Sequence, residues 1–265
     1  MIANRVVMAC MALGVLTAPL SRAHGADSSA SSATGTPAAA ADARALRIAD
    51  QVMKSLGGKS KWDALPGLRW TFGAVVNDTV RSNRRHAWNK HTGWHRVGYK
   101  NAAGDSFCII HKPGTSEGRA WVNGNAIEGD SLQKLMVRGM RIWTNDTYWM
   151  LMPYKLRDPG VNLVWDSEKK RDGKTYDILS MTFGKVGQTP GDHYWVYVNR
   201  ANHRVELWDM VLEGDSPPAV TYTWDDWVRT GGLWFPTAHR QERRNVFTKD
   251  VVAVTRFGPD EFTSH

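Results

Sequence analysis

Apolar residues near position 50 recur every three or four positions, the spacing of a helix with one buried face. Asp42 can cap the N-terminus of this helix, and Gly57 and Gly58 follow its last apolar position. The apolar positions are Ala45, Ile48, Ala49, Val52, Met53 and Leu56. The pattern therefore predicts a first helix over residues 42–56, and residues 59–65 can add one turn before Pro66.

From residue 68 the apolar period changes to two, which is typical of half-buried strands. Turn signals such as Asn123-Gly124 separate short segments of this kind as far as the C-terminus. The predicted strands lie at residues 68–76, 84–90, 94–99, 107–111, 119–122, 161–165, 175–183, 193–199, 204–212, 220–228, 233–240 and 251–257. Short turns between them favour sequential antiparallel pairing, and the lack of strand–helix–strand alternation argues against a parallel sheet.

A second helix is predicted between the two groups of strands, over residues 131–152. Its apolar positions, Leu132, Leu135, Met136, Met140 and Trp143, fall on or near one face. Asn145-Asp146 can break this helix, and Pro153 prevents its continuation. We expect Asp146 to act as a helix or turn cap rather than as an acid catalyst.

The N-terminal residues read as an export signal followed by a linker. Arg5 supplies a positive start, and residues 6–16 form an apolar run shorter than the roughly 20 residues of a membrane span. We therefore predict a signal peptide over residues 1–23. Residues 24–41 are rich in Ser and Ala, which predicts a disordered linker before a single domain at 42–265. Export of this kind predicts a periplasmic protein.

Composition excludes several classes of function. Two Cys cannot build a disulfide framework, and Cys10 lies in the predicted signal, so only Cys108 remains in the domain. The net charge of +8 comes from 34 basic and 26 acidic residues spread along the chain. Export removes nucleic acid as a partner, although basic segments allow transient contact with an anionic membrane surface.

A search for catalytic motifs finds no GxGxxG, P-loop, HExxH or GxSxG pattern. His86, His91 and His95 lie within ten residues, and a turn at Thr92-Gly93 can bring His91 and His95 together. No acidic residue or Cys stands among them to complete a metal site. We therefore predict no catalytic residue, no metal and no cofactor, and hence a protein that is not an enzyme.

Aromatic residues carry most of the remaining signal, because the chain contains 13 Trp. Each ring taken singly is expected in a core. Together with adaptable Met side chains, the rings can also line an apolar cavity. The candidate lining residues are Trp70, Phe72, Leu135, Met136, Trp143, Tyr148, Trp149, Met152, Trp165, Trp195 and Tyr197.

Several strings resemble a known family. Residues 145–156 read NDTYWMLMPYKL and are similar to the NDTYWLLMPFKL signature of an uncharacterised family of bacterial exported proteins. The strings DPGV at 158–161, VGQTP at 186–190 and YWVYV at 194–198 extend the resemblance. That family distantly resembles periplasmic lipoprotein carriers of the LolA/LolB type. The resemblance implies a mainly antiparallel β (α+β) fold: an incomplete, strongly curved barrel of about ten or eleven strands, with helices covering its open side.

These observations lead to one main hypothesis and two alternatives. The main hypothesis is a periplasmic, non-enzymatic carrier or binding protein for a lipid, a lipoprotein acyl chain or another amphiphile. The first alternative is an extracytoplasmic glycan-binding module that stacks exposed Trp on sugars, and the second is a metal-dependent enzyme. The sequence leaves open the ligand, the delivery partner and the oligomeric state.

Overall fold

The computed structural model describes residues 42–184 and 189–265. The predicted signal peptide and linker lie outside these residues, as does part of the VGQTP string. Three α-helices and a short 3₁₀ helix are present in the described part: α1 (Ala43–Ser55), α2 (Lys59–Ala64), α3 (Gly129–Leu151) and the 3₁₀ helix Met152–Tyr154. No helix in the described ranges is long and apolar enough to cross a membrane.

Helix α1 forms as its sequence predicts. The Asp42 carboxylate caps it by accepting a hydrogen bond from the Arg44 backbone N–H at 2.8 Å. The helix ends before Gly57 and Gly58, which adopt φ values of 119° and 92° that favour glycine. Its apolar face is buried against the rest of the domain.

Fifteen antiparallel strands make up most of the regular secondary structure of the described chain. They are β1 (Gly67–Val76), β2 (Thr79–Asn89), β3 (His95–Lys100), β4 (Ser106–His111), β5 (Gly118–Val122), β6 (Asn125–Ile127), β7 (Val161–Arg171), β8 (Lys174–Phe183), β9 (His193–Asn199), β10 (Val205–Val211), β11 (Val220–Thr223), β12 (Val228–Thr230), β13 (Leu233–Phe235), β14 (Ala238–Gln241) and β15 (Arg244–Ala253). The predicted class, mainly antiparallel β with a few helices, is confirmed.

The strands form two large open sheets and one hairpin. One sheet has eight strands in the order β14-β15-β1-β2-β3-β4-β5-β6, and the other has five in the order β11-β10-β9-β8-β7. The hairpin pairs β12 with β13. Beside β11 and β14, the Asp225 N–H donates to the Ala238 carbonyl at 2.8 Å, which joins the two large sheets.

The strand count of ten or eleven was too low, because long apolar segments are interrupted in the structure. Residues 220–228 divide into β11 and β12, with Asp226 between them at a φ of 51°. Residues 233–240 divide at Pro236, which lacks a backbone N–H for pairing. The last strand spans Arg244–Ala253 rather than residues 251–257, and residues 125–127 add an edge strand.

Helix α3 runs without a break through Asn145 and Asp146, so the predicted interruption is wrong. Residues 142–151 are buried around the whole helix. Polar side chains are tolerated there because each finds a partner: Thr144 and Thr147 donate to the carbonyls of Met140 and Trp143, four residues earlier. Asp146 is therefore a mid-helix residue and not a cap.

Buried apolar side chains form three clusters. The main core contains α1, the second half of α3 and residues of both large sheets. A small core lies under the first half of α3 and contains Val97, Ile109, Ala120, Met136 and Ile142, with Tyr99, Leu132 and Leu135 packed against it. A third cluster on the five-stranded sheet contains Tyr176, Ile178, Tyr197 and Leu207.

Candidate ligand-binding site

A cleft of about 420 Å³ opens between α3 and the ends of β2 and β3. Strand alternation turns Ser82 and Arg84 of β2 towards the helix. Helical spacing places Arg138, Arg141 and Asn145 of α3 along one side of the helix. The cleft is lined by Arg81, Ser82, Asn83, Arg84, Tyr99, Lys100, Asn101, Ala102, Arg138, Arg141, Ile142, Asn145 and Asp146.

Asp146 is the carboxylate at the floor of this cleft, and both of its oxygens are fully engaged. Arg84 donates to it twice, from Nε to Oδ2 at 2.6 Å and from Nη2 to Oδ1 at 2.7 Å. Asn145 Nδ2 donates to Oδ1 at 2.8 Å, and His86 Nε2 lies 3.0 Å from Oδ2. Burial favours a higher pKa for Asp146, but the Arg84 charge and these hydrogen bonds outweigh it and lower the pKa.

Three buried histidines continue from Asp146 into the eight-stranded sheet. His86 Nδ1 lies 2.9 Å from His95 Nε2, and His95 Nδ1 lies 3.0 Å from His111 Nε2. Cross-strand register causes this proximity: His95 of β3 stands opposite His111 of β4, and His86 of β2 is diagonal to His95. Trp70 stacks on the His86 ring with a centroid distance of 4.6 Å.

The geometry assigns one tautomer to each ring. Because the Asp146 carboxylate only accepts, His86 must donate through Nε2 and accept at Nδ1. His95 then donates through Nε2 to His86 Nδ1, and His111 donates through Nε2 to His95 Nδ1. Three neutral rings therefore give each of these hydrogen bonds one donor and one acceptor. Burial lowers the pKa of all three histidines, that of His95 well below its usual value and that of His111 to about 4.

This arrangement binds α3 to β2, β3 and β4 through an ordered line of polar contacts. The imidazole nitrogens that bond to each other and to Asp146 are occupied, so they are not available as metal ligands. No group of three or more His, Cys, Asp or Glu with metal-binding geometry occurs in the part of the chain that the structure describes. His91 is exposed in the β2–β3 turn, whereas His95 is buried and lies between His86 and His111.

The small core adjoins the cleft through Ile142 and Tyr99, which belong to both. Gly139 permits the close packing of α3 here, since a Cβ at this position would stand 2.9 Å from Ile109 Cγ2 and 3.3 Å from His111 Nε2. The cationic cleft and a patch of apolar side chains are thus neighbours under the first half of α3.

The eleven predicted lining residues lie in separate parts of the fold. Six are buried in the main core: Trp70, Phe72, Trp143, Tyr148, Trp149 and Met152. Trp165 packs on the edge of that core, with the Arg44 guanidinium 3.5 Å from its ring centroid. Met136 and Leu135 belong to the small core, and Tyr197 and Trp195 to the third cluster. The structure therefore brings Leu135 and Met136 together beside the cleft and places the other nine elsewhere.

A larger depression of about 660 Å³ lies on the other side of β2 and β3, near the C-terminal residues. Two of its three arginines, Arg69 and Arg96, have side-chain partners within the chain. Arg69 donates twice to the Glu261 carboxylate, and Arg96 donates to the backbone carbonyls of Glu261 and Ser264. Arg85 and Lys100 also line this depression and have no ion pair between described residues, whereas the cleft beside α3 has four such cations.

Sequence reasoning did not find Arg84, His111 or the role of Asp146. The alternation of β2 was a usable signal, because it places Arg84 and His86 on the same face as Trp88. The contact of that face with Asp146 depends on how α3 crosses the sheet, which single-sequence periodicity does not specify.

Comparison with known proteins gives distant structural neighbours only. No protein-family model and no curated protein matches the sequence. A DUF1329 family protein from Desulfovibrio piger is similar at 13% identity and a TM-score of 0.45, covering 82% of this chain and 96% of the neighbour. An outer-membrane lipoprotein-sorting protein domain from Vibrio parahaemolyticus is similar at 11% identity and a TM-score of 0.47, covering 83% and 96%.

A LolA superfamily protein from Nitrosomonas europaea is similar at 12% identity and a TM-score of 0.42, covering 83% of this chain and 97% of the neighbour. The distant LolA/LolB-type resemblance expected from the sequence agrees with these neighbours.

Proposed function

We propose that the protein is a periplasmic, non-enzymatic carrier or binding protein for an amphiphile, such as a lipid or a lipoprotein acyl chain. The observation that carries the proposal is the cleft beside α3, where a polar wall continues into the small apolar core under the first half of that helix. An amphiphile needs both kinds of surface within the length of one molecule.

The proposed binding mode uses the division of α3 into two halves. The second half is buried on all sides and anchored by Asp146, whereas the first half covers only the small core and has an exposed outer face. Val137, on that outer face, is 55% exposed. In this proposal the two sheets form an incomplete, curved barrel, and the first half of α3 covers its open side as a movable element. An acyl chain enters beneath it, against Leu135 and Met136.

Chain length provides the first test. Each buried methylene contributes about 0.8 kcal/mol, so affinity should rise about four-fold for each added CH₂ until the site is filled. Native mass spectrometry and fluorescence titration of residues 24–265 with monoacylglycerols of increasing length measure this directly. An affinity that does not depend on chain length would overturn the proposal.

A pair of variants in α3 provides the second test. Leu135→Gln places a polar group on the face that packs against the small core, and we expect a roughly ten-fold weaker affinity for the monoacylglycerol. Val137→Gln is the matched control, because Val137 is exposed on the same helix and should leave the affinity unchanged. Thermal unfolding of both variants separates a lost site from a lost fold. If the two variants bind monoacylglycerol with equal affinity, the acyl chain does not lie against Leu135.

The placement of the 13 Trp does not favour the glycan-binding alternative. Five Trp side chains are buried and the other eight are half-buried, so none presents a fully exposed ring for stacking on a sugar. Surface quenching of Trp fluorescence should accordingly be weak.

A further inference from the structure

Most of the cations that line the cleft lack a carboxylate partner. Five basic side chains reach it, and within the described residues only Arg84 forms an ion pair. The other four, Arg81, Lys100, Arg138 and Arg141, are exposed at its rim and take part in no ion pair between described residues.

The only carboxylate in the lining cannot neutralise these four cations. Both Asp146 oxygens accept two hydrogen bonds, from Arg84 on either oxygen, from Asn145 on Oδ1 and from His86 on Oδ2. Like charges gathered around a concave surface raise the local concentration of an anion. The charge pattern of the cleft therefore complements a group with more than one negative or strongly accepting oxygen.

Two buried polar atoms of the cleft also lack hydrogen-bond partners among the described residues. They are the Tyr99 hydroxyl and Asn145 Oδ1. A buried polar group without a partner costs free energy, so such groups usually meet water or a ligand. The Tyr99 hydroxyl can donate to an anion, and Asn145 Oδ1 can accept from a ligand hydroxyl.

Two aromatic rings fix the orientation of the Arg138 guanidinium. Its guanidinium lies 5.0 Å from the ring centroids of both Tyr99 and Phe107, and these two rings stack on each other at 5.0 Å. This packing orients the guanidinium, and no carboxylate of the described residues pairs with its N–H groups. Oriented arginines recognise phosphoryl groups well, because they donate paired hydrogen bonds to two oxygens.

We propose that the cleft binds the phosphoryl group of a phosphate ester that also carries a hydroxyl. This inference rests on the proposed function where it assigns that group to the head of an amphiphile, whose acyl chain then lies against the adjoining small core. Arg81, Lys100, Arg138 and Arg141 hold the phosphoryl oxygens, Tyr99 donates to one of them, and Asn145 Oδ1 accepts from the hydroxyl.

Binding of two lipids with the same chain tests the head group. Lysophosphatidylglycerol carries a phosphodiester and hydroxyls, and monoacylglycerol lacks the phosphate. We expect the phospholipid to bind at least ten-fold more tightly to residues 24–265, and the preference to weaken as salt increases. Lysophosphatidylcholine tests whether net negative charge is required, and a free fatty acid tests whether a carboxylate suffices. Equal affinity for the fatty acid and the phospholipid would overturn the phosphoryl assignment.

A double substitution tests the residues. In Arg138→Gln/Arg141→Gln the preference for the phospholipid should fall below about two-fold, while monoacylglycerol binds as before. The control Arg47→Gln/Lys134→Gln removes the same charge from exposed helix positions that do not line the cleft, and it should retain the full preference. Equal loss of preference in both variants would mean that overall charge, not the cleft, selects the ligand.

Glycerol 3-phosphate and inorganic phosphate distinguish a lipid head from a free phosphate ester. Weak binding of these two beside tight binding of the phospholipid supports the lipid source. If they bind as tightly as the phospholipid and lose affinity in Arg138→Gln/Arg141→Gln, the phosphoryl site stands and the proposed amphiphile function fails. If all acyl compounds bind without regard to the head group, the function stands and the phosphoryl site is overturned.

Discussion

Arg84 on β2 holds Asp146 on α3 through two hydrogen bonds in parallel, at 2.6 and 2.7 Å. The Asp146 side chain is completely buried and that of Arg84 is 17% exposed. The pair stands between the cationic cleft and the main core, at the point where α3 passes from the small core to the main core. Its integrity therefore controls both the stability of the helix and the shape of the cleft floor.

Breaking this pair from one side should be costly. In Asp146→Asn the Arg84 charge remains largely buried without its counter-charge, and we expect the free energy of unfolding to fall by about 3–5 kcal/mol. Urea denaturation monitored by Trp fluorescence measures the loss. The exposed Asp172 provides a control, since Asp172→Asn breaks only a 3.5 Å surface contact with Arg171 and should cost less than about 1 kcal/mol.

A double substitution shows how much of the lost stability comes from the missing attraction and how much from leaving the Arg84 charge buried without a partner. Arg84→Met/Asp146→Leu removes both charges and fills similar volume, so it should be less destabilising than Asp146→Asn alone. If the double variant is as unstable as the sum of its single variants, the two side chains do not act as a pair.

The histidine chain predicts acid sensitivity that begins well above the range in which carboxylates titrate. His86, His95 and His111 have lowered pKa values in the folded state, while an unfolded chain protonates its histidines near pH 6.5. Above that pH they are neutral in both states. As the pH falls below about 6.5 the unfolded chain binds more protons, so stability decreases until each folded-state pKa is reached.

For His111 the window runs from about 6.5 down to about 4, which amounts to roughly 3 kcal/mol. The lowered pKa of Asp146 adds a loss of stability only below pH 3.8, the ordinary pKa of an Asp side chain, so the two effects are separable. Denaturation at several pH values between 7.5 and 4.5 should show this slope, and His111→Gln should reduce it by up to about 1.4 kcal/mol per pH unit. His91→Gln, at an exposed position, should leave it unchanged. A free energy of unfolding that does not change between pH 7.5 and 4.5 would contradict the assignment of neutral His86, His95 and His111.

Local sequence predicted the elements better than it predicted their contacts. The Asp42 cap, the end of α1 before Gly57 and the alternation of β1 follow from residues close in sequence, and the structure has them. The network of Asp146 with Arg84 and His111 joins residues about 60 and 35 positions apart. Its formation depends on sheet register and on the path of α3 across the sheet, which no local pattern contains. Asp146 looked like a cap because a charged residue inside a helix is costly until its distant partner is known.

Trp149 tests whether the aromatic segment of α3 is a core or a ligand site. Its ring is completely buried and lies 5.0 Å from the ring of Trp208 and 4.9 Å from that of Tyr222. We expect Trp149→Ala to lower the free energy of unfolding by about 3–5 kcal/mol. The folded fraction should still bind monoacylglycerol, because the proposed chain site lies under the first half of α3. Trp121→Ala, at a half-buried position on β5, should cost much less. If Trp149→Ala loses lipid binding but keeps normal stability, the lipid-binding site lies in the main core and not under the first half of α3.

Gly139 tests how closely α3 must approach β4. Alanine is the better helix former by about 1 kcal/mol, so Gly139→Ala would stabilise an unobstructed helix. The added Cβ would meet Ile109 Cγ2 at 2.9 Å, and we therefore expect a net destabilisation of about 1–3 kcal/mol in urea denaturation. Ile109→Ala removes the obstructing methyl group, so in that background Gly139→Ala should cost less or become stabilising. If Gly139→Ala stabilises the otherwise unchanged protein, α3 does not pack on β4 as closely as the distances to Ile109 and His111 indicate.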